Sequence, residues 1–390
     1  MAKHSSESQS YASLGASSAK AGILAAVGEH AESRYFASPL ADPFGDPDRA
    51  FFLHADGAGT KSIVAYLMFR ETGSVSWFKS LAVDSLVMNL DDVACSGGLS
   101  GLVLSNTIGR NRGLIPDGAI QAIIEGYREC AALLMAEGIS IQLSGGETAD
   151  IGDLVRTLVV DSTLSARIRK DELVDAFKVV PGDVIVGFSS TGQCRYESRP
   201  NSGIGSNGLT LARNVMLTRS LVEKYPEVAD PAIPASLGYR GPHGVSDEIP
   251  GLGMTVGESL LSPTRTYAPL ILAMLRSFRD GIHSLVHCTG GGQTKIKRFG
   301  RGVRFEKTSF FPVPPIFSEI QRCGEIPWSE MYSVFNMGHR LEACVPATLA
   351  GELIGLASTF GIDAQIVGRV AASKGPNEVV IDSPHGTFSF

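Results

Sequence analysis

The 390-residue chain contains no run that approaches the ~18 consecutive apolar residues of a membrane-spanning helix. It also lacks any Lys/Arg block long enough to follow a nucleic-acid backbone, and its formal net charge is -6. Its six cysteines are scattered without a C-x-x-C pair. These absences predict no membrane association and no nucleic-acid partner, and they argue against both a structural zinc and a disulfide scaffold.

The composition is that of a soluble globular protein, with 44% hydrophobic and 19% charged residues. A chain of this length can bury a full core, and we expect two or three domains. The residues from Met1 to Ser10 are polar and are not followed by the apolar segment of a signal peptide. Together with cysteines that we interpret as free thiols, this predicts a cytoplasmic protein, for which a small polyanionic substrate is allowed.

The segment from His54 to Lys61 combines the residue types of a phosphate and cation site. It follows Phe51 to Leu53, which we predict to be the end of a strand. Asp56 could hold a metal, the small residues behind it could offer backbone N–H groups, and Lys61 could neutralise phosphate charge. A glycine-rich turn that closes a hairpin explains the same eight residues equally well, because short glycine motifs are common.

A largely buried helix is predicted from Ser76 to Ser96, and it carries three acids among its apolar residues. Asp84 and Asp91 are seven residues apart and share a face, while Asp92 lies about 100° further round the helix. A buried carboxylate needs a partner or a cation, so we expect one or two of these acids to point towards the segment that carries Asp56. Exposed carboxylates on the helix surface are the alternative.

A second acidic, glycine-rich loop is predicted at Ser144 to Asp150, behind a strand at Ile139 to Leu143. After it, the order of strand, glycine-rich loop and helix recurs, with the helix at Leu209 to Lys224. We therefore predict two α+β halves of similar size, with domains at residues 1–176 and 177–390.

Seven motifs follow one another from the first half of the chain to the second. They are Asp56-Gly57-x-Gly59-Thr60-Lys61, Asp92, Gly145-Gly146-Glu147-Thr148-Ala149, Ser206-Asn207-Gly208, Ser262-Pro263-Thr264-Arg265, His287-x-Thr289-Gly290-Gly291-Gly292 and Met331-Tyr332-x-x-Phe335-Asn336-x-Gly338. In this order they resemble the aminoimidazole ribonucleotide synthetase family, the phosphoribosylformylglycinamidine cyclo-ligases of the PurM-like superfamily. The resemblance extends from about Tyr11 to the C terminus.

The resemblance implies an α/β fold of the α+β type with two PurM-like domains. The strands of the N-terminal domain would pair across a homodimer to form a barrel, and the C-terminal domain would be α/β. ATP and Mg²⁺ would be the cofactors. The reaction would close formylglycinamidine ribonucleotide to aminoimidazole ribonucleotide with release of ADP and phosphate.

The resemblance also assigns roles to residues. Asp56 and Asp92 would hold Mg²⁺, Lys61 would contact phosphate, and Glu147 would bind the metal or orient the substrate. Lys61, Glu147 and His287 are the expected catalytic residues. The expected nucleotide-binding residues are Asp56, Asp92, Glu147 and Lys61, together with Gly57, Gly59, Thr60, Gly145, Gly146, Thr148, Ser206, Asn207, Gly208, Thr289, Gly290 and Gly291.

The chain departs from the family pattern in the loop before Ser206. Gly205 stands where the family has a histidine, and residues 193–203 form an insertion rich in Arg, Tyr and Ser. The family's glycine-rich segment ahead of the first motif is also absent from residues 29–48. A substitute proton carrier could come from the insertion, whose candidates are Arg195, Tyr196, Glu197 and Arg199; a solvated surface loop is the alternative.

Three functions remain open at this point. The first is the cyclo-ligase, favoured by the Pro263-Thr264-Arg265 and Met331 to Asn336 motifs. The second is another ATP-dependent small-molecule kinase or synthetase of the superfamily, favoured by the missing histidine. The third is a nucleotide-binding paralogue without catalytic activity.

Overall fold

A computed structural model describes residues 10–14 and 32–390 of the chain. Residues 23–29, for which the sequence predicts a short helical or mixed piece, lie outside these ranges. Two β-sheets organise the described residues, one of five strands and one of seven. Within the same ranges, no helix combines the length and apolar character needed to cross a bilayer.

The five-stranded sheet belongs to the N-terminal half and has the strand order β1-β2-β5-β3-β4. Strands β3 and β4 are parallel, and the other neighbours are antiparallel. The elements are β1 (Leu40–Ala41), β2 (Arg49–Gly57), α1 (Lys61–Thr72), α2 (Lys79–Ala94), β3 (Leu102–Arg110), α3 (Asp117–Ala136), β4 (Ile141–Asp150) and β5 (Leu158–Arg169).

The seven-stranded sheet belongs to the C-terminal half and has the order β12-β11-β8-β10-β6-β9-β7. Its strands are β6 (Asp183–Ser189), β7 (Ser284–His287), β8 (Val303–Lys307), β9 (His339–Pro346), β10 (Ala364–Ala372), β11 (Glu378–Ser383) and β12 (Gly386–Ser389). Its helices are α4 (Leu209–Met216), α5 (Arg219–Lys224), α6 (Val256–Leu260), α7 (Ala268–Phe278), α8 (Pro315–Gly324), α9 (Trp328–Val334) and α10 (Ala347–Ser358).

Helices cover one face of the five-stranded sheet and leave the other face open. Along β2, Ala50 and Phe52 are buried beneath α2, whereas Leu53 on the other face is 61% exposed. The same alternation continues on β5, where Val160 is buried and Val159 is exposed. Side chains of a strand point alternately to the two faces, so this pattern identifies an open face with exposed apolar residues.

Both predicted glycine-rich loops are largely strand, which corrects the sequence interpretation. Strand β2 continues to Gly57, opposite Asp161, and β4 continues to Asp150. A Cβ on Gly146 would lie 1.9 Å from the Asn106 carbonyl oxygen of the adjacent strand. Glycine therefore allows close strand approach there. The hairpin alternative is also wrong, because β2 leads through a short turn into α1.

The helix predicted at Leu209 to Lys224 is interrupted, and α4 and α5 are separate. At the break, the Thr218 N–H donates to the His243 carbonyl, and the His243 N–H donates to the Met216 carbonyl. These bonds place the segment around residue 243 beside the break.

Replacing Gly208, which precedes α4, by alanine is expected to lower the free energy of unfolding by about 2–4 kcal/mol. Its φ is +77°, and an added Cβ would lie 2.3 Å from Cε1 of Phe335. Urea denaturation of the variant measures the loss. Gly45→Ala is the matched control, because Gly45 has φ +81° but no neighbouring atom within 4 Å, so only the conformational cost of about 1 kcal/mol applies. Equal losses in the two variants would contradict the predicted clash.

Candidate functional site

Two of the predicted metal ligands, Asp56 and Asp92, lie close to each other. Asp56 is near the end of β2, and Asp92 is on the last turn of α2, 6% exposed. Burial raises the pKa of Asp56, and the negative charge of Asp92 adds to this effect. Two carboxylates in partly desolvated surroundings repel each other, so a cation between them would be stabilised.

His54 stands beside this acid pair, and the sequence did not assign it a role. Its Nδ1 lies 3.0 Å from Asn89 Oδ1. The Asn89 amide nitrogen lies within hydrogen-bonding distance of three carbonyl oxygens, which take up its two protons, so Oδ1 is the acceptor and His54 Nδ1 carries the proton. In neutral His54, the lone pair of Nε2 then faces Asp92 Oδ2 at 3.6 Å. A proton or a metal ion between these atoms would satisfy both.

His287 orients Asp92 from the opposite side and has no free ring nitrogen. Its Nδ1 lies 2.8 Å from Asp92 Oδ1, and its Nε2 accepts a hydrogen bond from Arg340 Nε at 3.1 Å. Because a guanidinium only donates, the ring proton must be on Nδ1 and is donated to Asp92. His287 is also fully buried. Its contacts in this structure hold Asp92 in place, and its catalytic role remains a prediction.

Lys295 is the basic residue whose charge does most to lower the pKa of Asp92. No role was predicted for it from the sequence. Burial raises the pKa of Asp92, but the positive charge of Lys295 and the hydrogen bond from His287 outweigh this and lower it overall. Lys295 Nζ donates to Thr289 Oγ1 at 2.6 Å, which ties it to the Thr289 to Gly292 loop. The available signal was its position three residues after that loop's last glycine.

Lys61 requires the largest correction. Its side chain is fully buried between the two halves of the chain. Its ammonium donates to Asp84 Oδ1 at 2.9 Å, to the Gly205 carbonyl at 3.2 Å and to the Ser262 carbonyl. These bonds use all three donors of an ammonium group. Lys61 therefore joins the two halves and, in this structure, does not face a phosphate site.

Asp84 and Asp91 have protein partners in the C-terminal half, as expected for buried acids. Asp84 Oδ1 accepts from the Thr264 N–H at 2.8 Å and from Ser206 Oγ at 3.0 Å, besides Lys61. Asp91 accepts from Thr266 Oγ1 at 2.7 Å and from the Tyr267 N–H at 2.8 Å. Helix α2 thus holds the segment before α7 with two carboxylates, which leaves Asp92 as the acid of this helix at the candidate cation site.

Within one chain, Glu147 does not lie beside Asp56 and Asp92, and its predicted role as a metal ligand remains a prediction. In the strand register Glu147 lies opposite Thr107, Thr107 opposite Asp161, and Asp161 opposite Gly57. Three strand spacings of ~4.8 Å therefore separate Glu147 from β2. Glu147 is exposed and shares the open face of the sheet with Asp161. Gly145, Gly146 and Thr148 accompany it on β4.

Several other predicted nucleotide-binding residues do come together where the halves meet. Thr60 Oγ1 lies 3.1 Å from Oγ1 of Thr210 in the first turn of α4, directly behind Ser206, Asn207 and Gly208. Asn207 is also the neighbour of Gly290. The structure therefore brings the end of the first motif, the start of α4 and the Thr289 to Gly291 loop together, with Lys295 linking that loop to the acid pair.

The insertion at residues 193–203 supplies mainly structural contacts. Both carboxylate oxygens of Glu197 accept from Arg265, at 2.9 and 2.6 Å, and the Tyr196 hydroxyl donates to the Thr266 carbonyl at 2.6 Å. Arg195 pairs with Glu137 on the protein surface. Arg199 has no hydrogen bond or ion pair within residues 10–14 and 32–390, and it lines a cavity of about 500 Å³ beside α2 and α3.

Family models of AIR synthase related proteins match both halves of the chain. The N-terminal domain model matches residues 40–167, and the C-terminal domain model matches residues 180–381. The phosphoribosylformylglycinamidine cyclo-ligase of Methanocaldococcus jannaschii is 32% identical, over 84% of this chain and 79% of its own length. The protein of that name from Methanothermobacter thermautotrophicus is 31% identical, over 83% of this chain and 80% of its own length.

Solved structures share the fold at low sequence identity. T. maritima PurL complexed with FGAR aligns with 90% of this chain at a TM-score of 0.51 and 15% identity, and this chain spans only 46% of that protein. AaThiL complexed with AMPPCP and TMP aligns at a TM-score of 0.51 and 12% identity, over 94% of both chains. The fold is the two-domain α/β fold of PurM-like proteins, as the resemblance implied. The chain belongs to the phosphoribosylformylglycinamidine cyclo-ligase family, as its seven ordered motifs predicted.

Proposed function

We propose that the protein is an ATP-dependent cyclo-ligase that converts formylglycinamidine ribonucleotide to aminoimidazole ribonucleotide in purine synthesis. The observation that carries this proposal is that Asp56 and Asp92 of the N-terminal half lie beside His287 and the Thr289 to Gly292 loop of the C-terminal half, which Lys295 links to the acid pair. Two relatives that are 31% and 32% identical to this chain carry the name of that activity. The free thiols of all six cysteines support a cytoplasmic location.

The acid pair fits a divalent cation. Asp56 and Asp92 offer carboxylate oxygens, which Mg²⁺ prefers, and the raised pKa of Asp56 reflects burial and charge repulsion that a cation would relieve. Mg²⁺ bound there would neutralise triphosphate charge. We propose that Asp56 and Asp92 hold it, that His287 fixes the orientation of Asp92, and that Lys295 replaces Lys61 as the lysine facing the phosphates.

The proposed chemistry asks for positioning and charge neutralisation more than for covalent catalysis. The γ-phosphoryl group is transferred from ATP to the formyl oxygen, which makes that oxygen a good leaving group. An amidine nitrogen then attacks the activated carbon, and phosphate leaves as the ring closes. In this scheme the backbone N–H groups around Ser206 to Gly208, at the start of α4, and the Thr289 to Gly291 loop hold phosphate oxygens.

The open face of the five-stranded sheet supports the predicted homodimer. Strand β4 is an edge strand of ten residues, and Leu53 on the open face is 61% exposed. An uncovered sheet face beside a long free edge is a surface that proteins normally protect. We propose that two copies cover these faces by forming a barrel, and that Glu147 acts at that interface rather than at the acid pair of its own chain.

Leu53→Glu is expected to convert the dimer to a monomer, because it would bury a carboxylate among the apolar residues of the proposed interface. Light scattering coupled to gel filtration gives the mass. Met135→Glu is the matched control, because Met135 is also 61% exposed but lies on a helix over the covered face. A wild-type protein that runs as a monomer, or a Leu53→Glu variant that remains dimeric, would contradict the interface.

A second candidate, phosphoryl transfer without ring closure, is favoured by one observation. Gly205 has φ +69°, and a Cβ there would lie 2.7 Å from a guanidinium nitrogen of Arg340. This backbone has no room for the family histidine. A kinase of the same fold would not need a proton carrier for ring closure at that position.

One assay separates the two functions. Purified protein is mixed with formylglycinamidine ribonucleotide and Mg-ATP, and aminoimidazole ribonucleotide and ADP are measured together. Equal amounts of both products are expected. ADP release without the aminoimidazole would favour a kinase, and absence of both products with Mg-ATP bound would favour a paralogue without activity.

A further inference from the structure

Three potential metal ligands meet on the C-terminal half, apart from the acid pair. His243 Nε2 lies 2.6 Å from Glu319 Oε1, and Cys323 Sγ lies 3.4 Å from the same oxygen. One donor atom from each residue can be chosen so that all lie within 4.8 Å of one another. In residues 10–14 and 32–390, no other group of three or more His, Cys, Asp or Glu side chains meets this condition.

Two of the three side chains are carried by a helix, and the third lies at an isolated β-bridge with Leu217. Glu319 and Cys323 are one turn apart on α8 and share a face of the helix. The backbone of His243 is fixed on both sides by its hydrogen bonds with Met216 and Thr218. The donors are therefore held near one another before any ion binds, which favours binding.

Imidazole, carboxylate and thiolate together match the ligand preference of Zn²⁺. Bonds of about 2.0–2.3 Å at tetrahedral angles place ligand atoms about 3.3–3.8 Å apart, so the cluster needs only a small expansion. Asp247 Oδ2 lies 3.9 Å from the other ring nitrogen of His243. A carboxylate behind a ligating histidine is the usual outer partner in zinc sites.

Cys323 differs from the other cysteines in its exposure to solvent. Cys323 is partly exposed, whereas the other five cysteines are buried. Arg322 occupies the cluster without a metal, because its guanidinium donates to both oxygens of Glu319. The Arg322 side chain is 62% exposed, so it can turn into solvent when an ion takes its place.

We propose that His243 Nε2, a Glu319 carboxylate oxygen and Cys323 Sγ bind one Zn²⁺ ion, with water as the fourth ligand. The ion would be structural: it would fasten the long segment around residue 243 to α8, which packs against Phe335 through Phe317. Ligands at positions 243, 319 and 323 are too widely spaced for the cysteine pattern to reveal them. The absence of a C-x-x-C pair therefore does not exclude a zinc site at this cluster.

Binding must displace the thiol proton of Cys323. A metal ion can replace this proton, and apparent affinity should therefore rise with pH. The apparent metal affinity of an exposed carboxylate cluster without a thiol would depend much less on pH in the alkaline range.

Cobalt(II) provides the test, because it replaces zinc and reports its ligands in the absorption spectrum. The full chain is stripped with a chelator, the chelator is removed, and CoCl₂ is titrated. We expect one Co²⁺ per chain, a thiolate-to-cobalt charge-transfer band and the intense visible bands of tetrahedral coordination. Zn²⁺ should remove these bands by competition and should raise the melting temperature.

Cys323→Ser is expected to abolish the charge-transfer band. His243→Gln is expected to abolish tight Zn²⁺ binding. Circular dichroism should show that both variants are folded. His283→Gln is the matched control, because His283 also contacts a carboxylate, that of Asp183 at 2.7 Å, but lies outside the cluster. Arg322→Gln should tighten binding by about fivefold, the factor that corresponds to a surface ion pair of ~1 kcal/mol. Absence of the band in the wild type, or its survival in Cys323→Ser, would overturn the proposal.

Discussion

Replacing Asp92 by asparagine is expected to abolish the thermal stabilisation of the protein by Mg-ATP and to lower turnover by about a hundredfold or more. Asparagine preserves the shape of the side chain, and its oxygen can still accept the proton of His287 Nδ1. What disappears is the negative charge next to Asp56 on which cation binding depends. A thermal shift series with Mg-ATP and the coupled product assay measure the two effects separately.

Asp171→Asn is the control for this variant. Asp171 is an exposed carboxylate of the N-terminal half that pairs with Arg169 on the surface, so neither nucleotide stabilisation nor turnover should change. Circular dichroism and the melting temperature without nucleotide establish that Asp92→Asn is folded. If folded Asp92→Asn is stabilised by Mg-ATP as strongly as the wild type, the cation does not bind at this pair.

Removing the ammonium of Lys61 is expected to reduce the free energy of unfolding by about 3–5 kcal/mol, because Lys61→Met leaves the carboxylate of Asp84 buried without its counter-charge. Both side chains are fully buried in the native protein. The lost charge also frees the Gly205 and Ser262 carbonyls from their shared donor. Chemical denaturation followed by circular dichroism gives the change in stability.

A second substitution tests whether the pair itself causes this loss. Lys61→Met with Asp84→Leu removes both charges, and the double variant should be more stable than Lys61→Met alone. Lys79→Met is the surface control, because Lys79 is about one-third exposed and pairs with Glu125 and Glu129 in solvent. The effect of Lys79→Met on the free energy of unfolding should be small compared with that of Lys61→Met. A Lys61→Met protein as stable as the Lys79→Met control would refute a structural role for the buried pair.

The sequence allowed prediction of the elements with strong periodicity and of the need for partners at buried acids. The helix carrying Asp84, Asp91 and Asp92 was predicted nearly at its observed position, and all three acids have partners. These predictions rest on local physics, since an apolar period and the cost of an unpaired buried charge are visible without the fold. The predicted domain boundary near residue 176 remains a prediction.

The positions of Lys61 and Glu147 could not be predicted, because they depend on contacts between distant parts of the chain. The local sequence around a lysine that follows a glycine motif is the same whether the side chain faces phosphate or is buried between two halves. The face on which Glu147 lies is set by strand register, and a register shift of one residue reverses it. Lys295 and His54 were missed for the same reason, since only tertiary packing brings them to the acid pair.

The carboxylates of α2 also limit how the protein can move. Asp84 and Asp91 bond to the segment before α7, at Thr264 and Thr266, and Asp92 bonds to His287 at the end of β7, so the three acids connect the halves along about two turns of one helix. A hinge between the halves would have to break several buried charged contacts at once. These contacts therefore favour movement of the two halves as a single body rather than about a hinge between them.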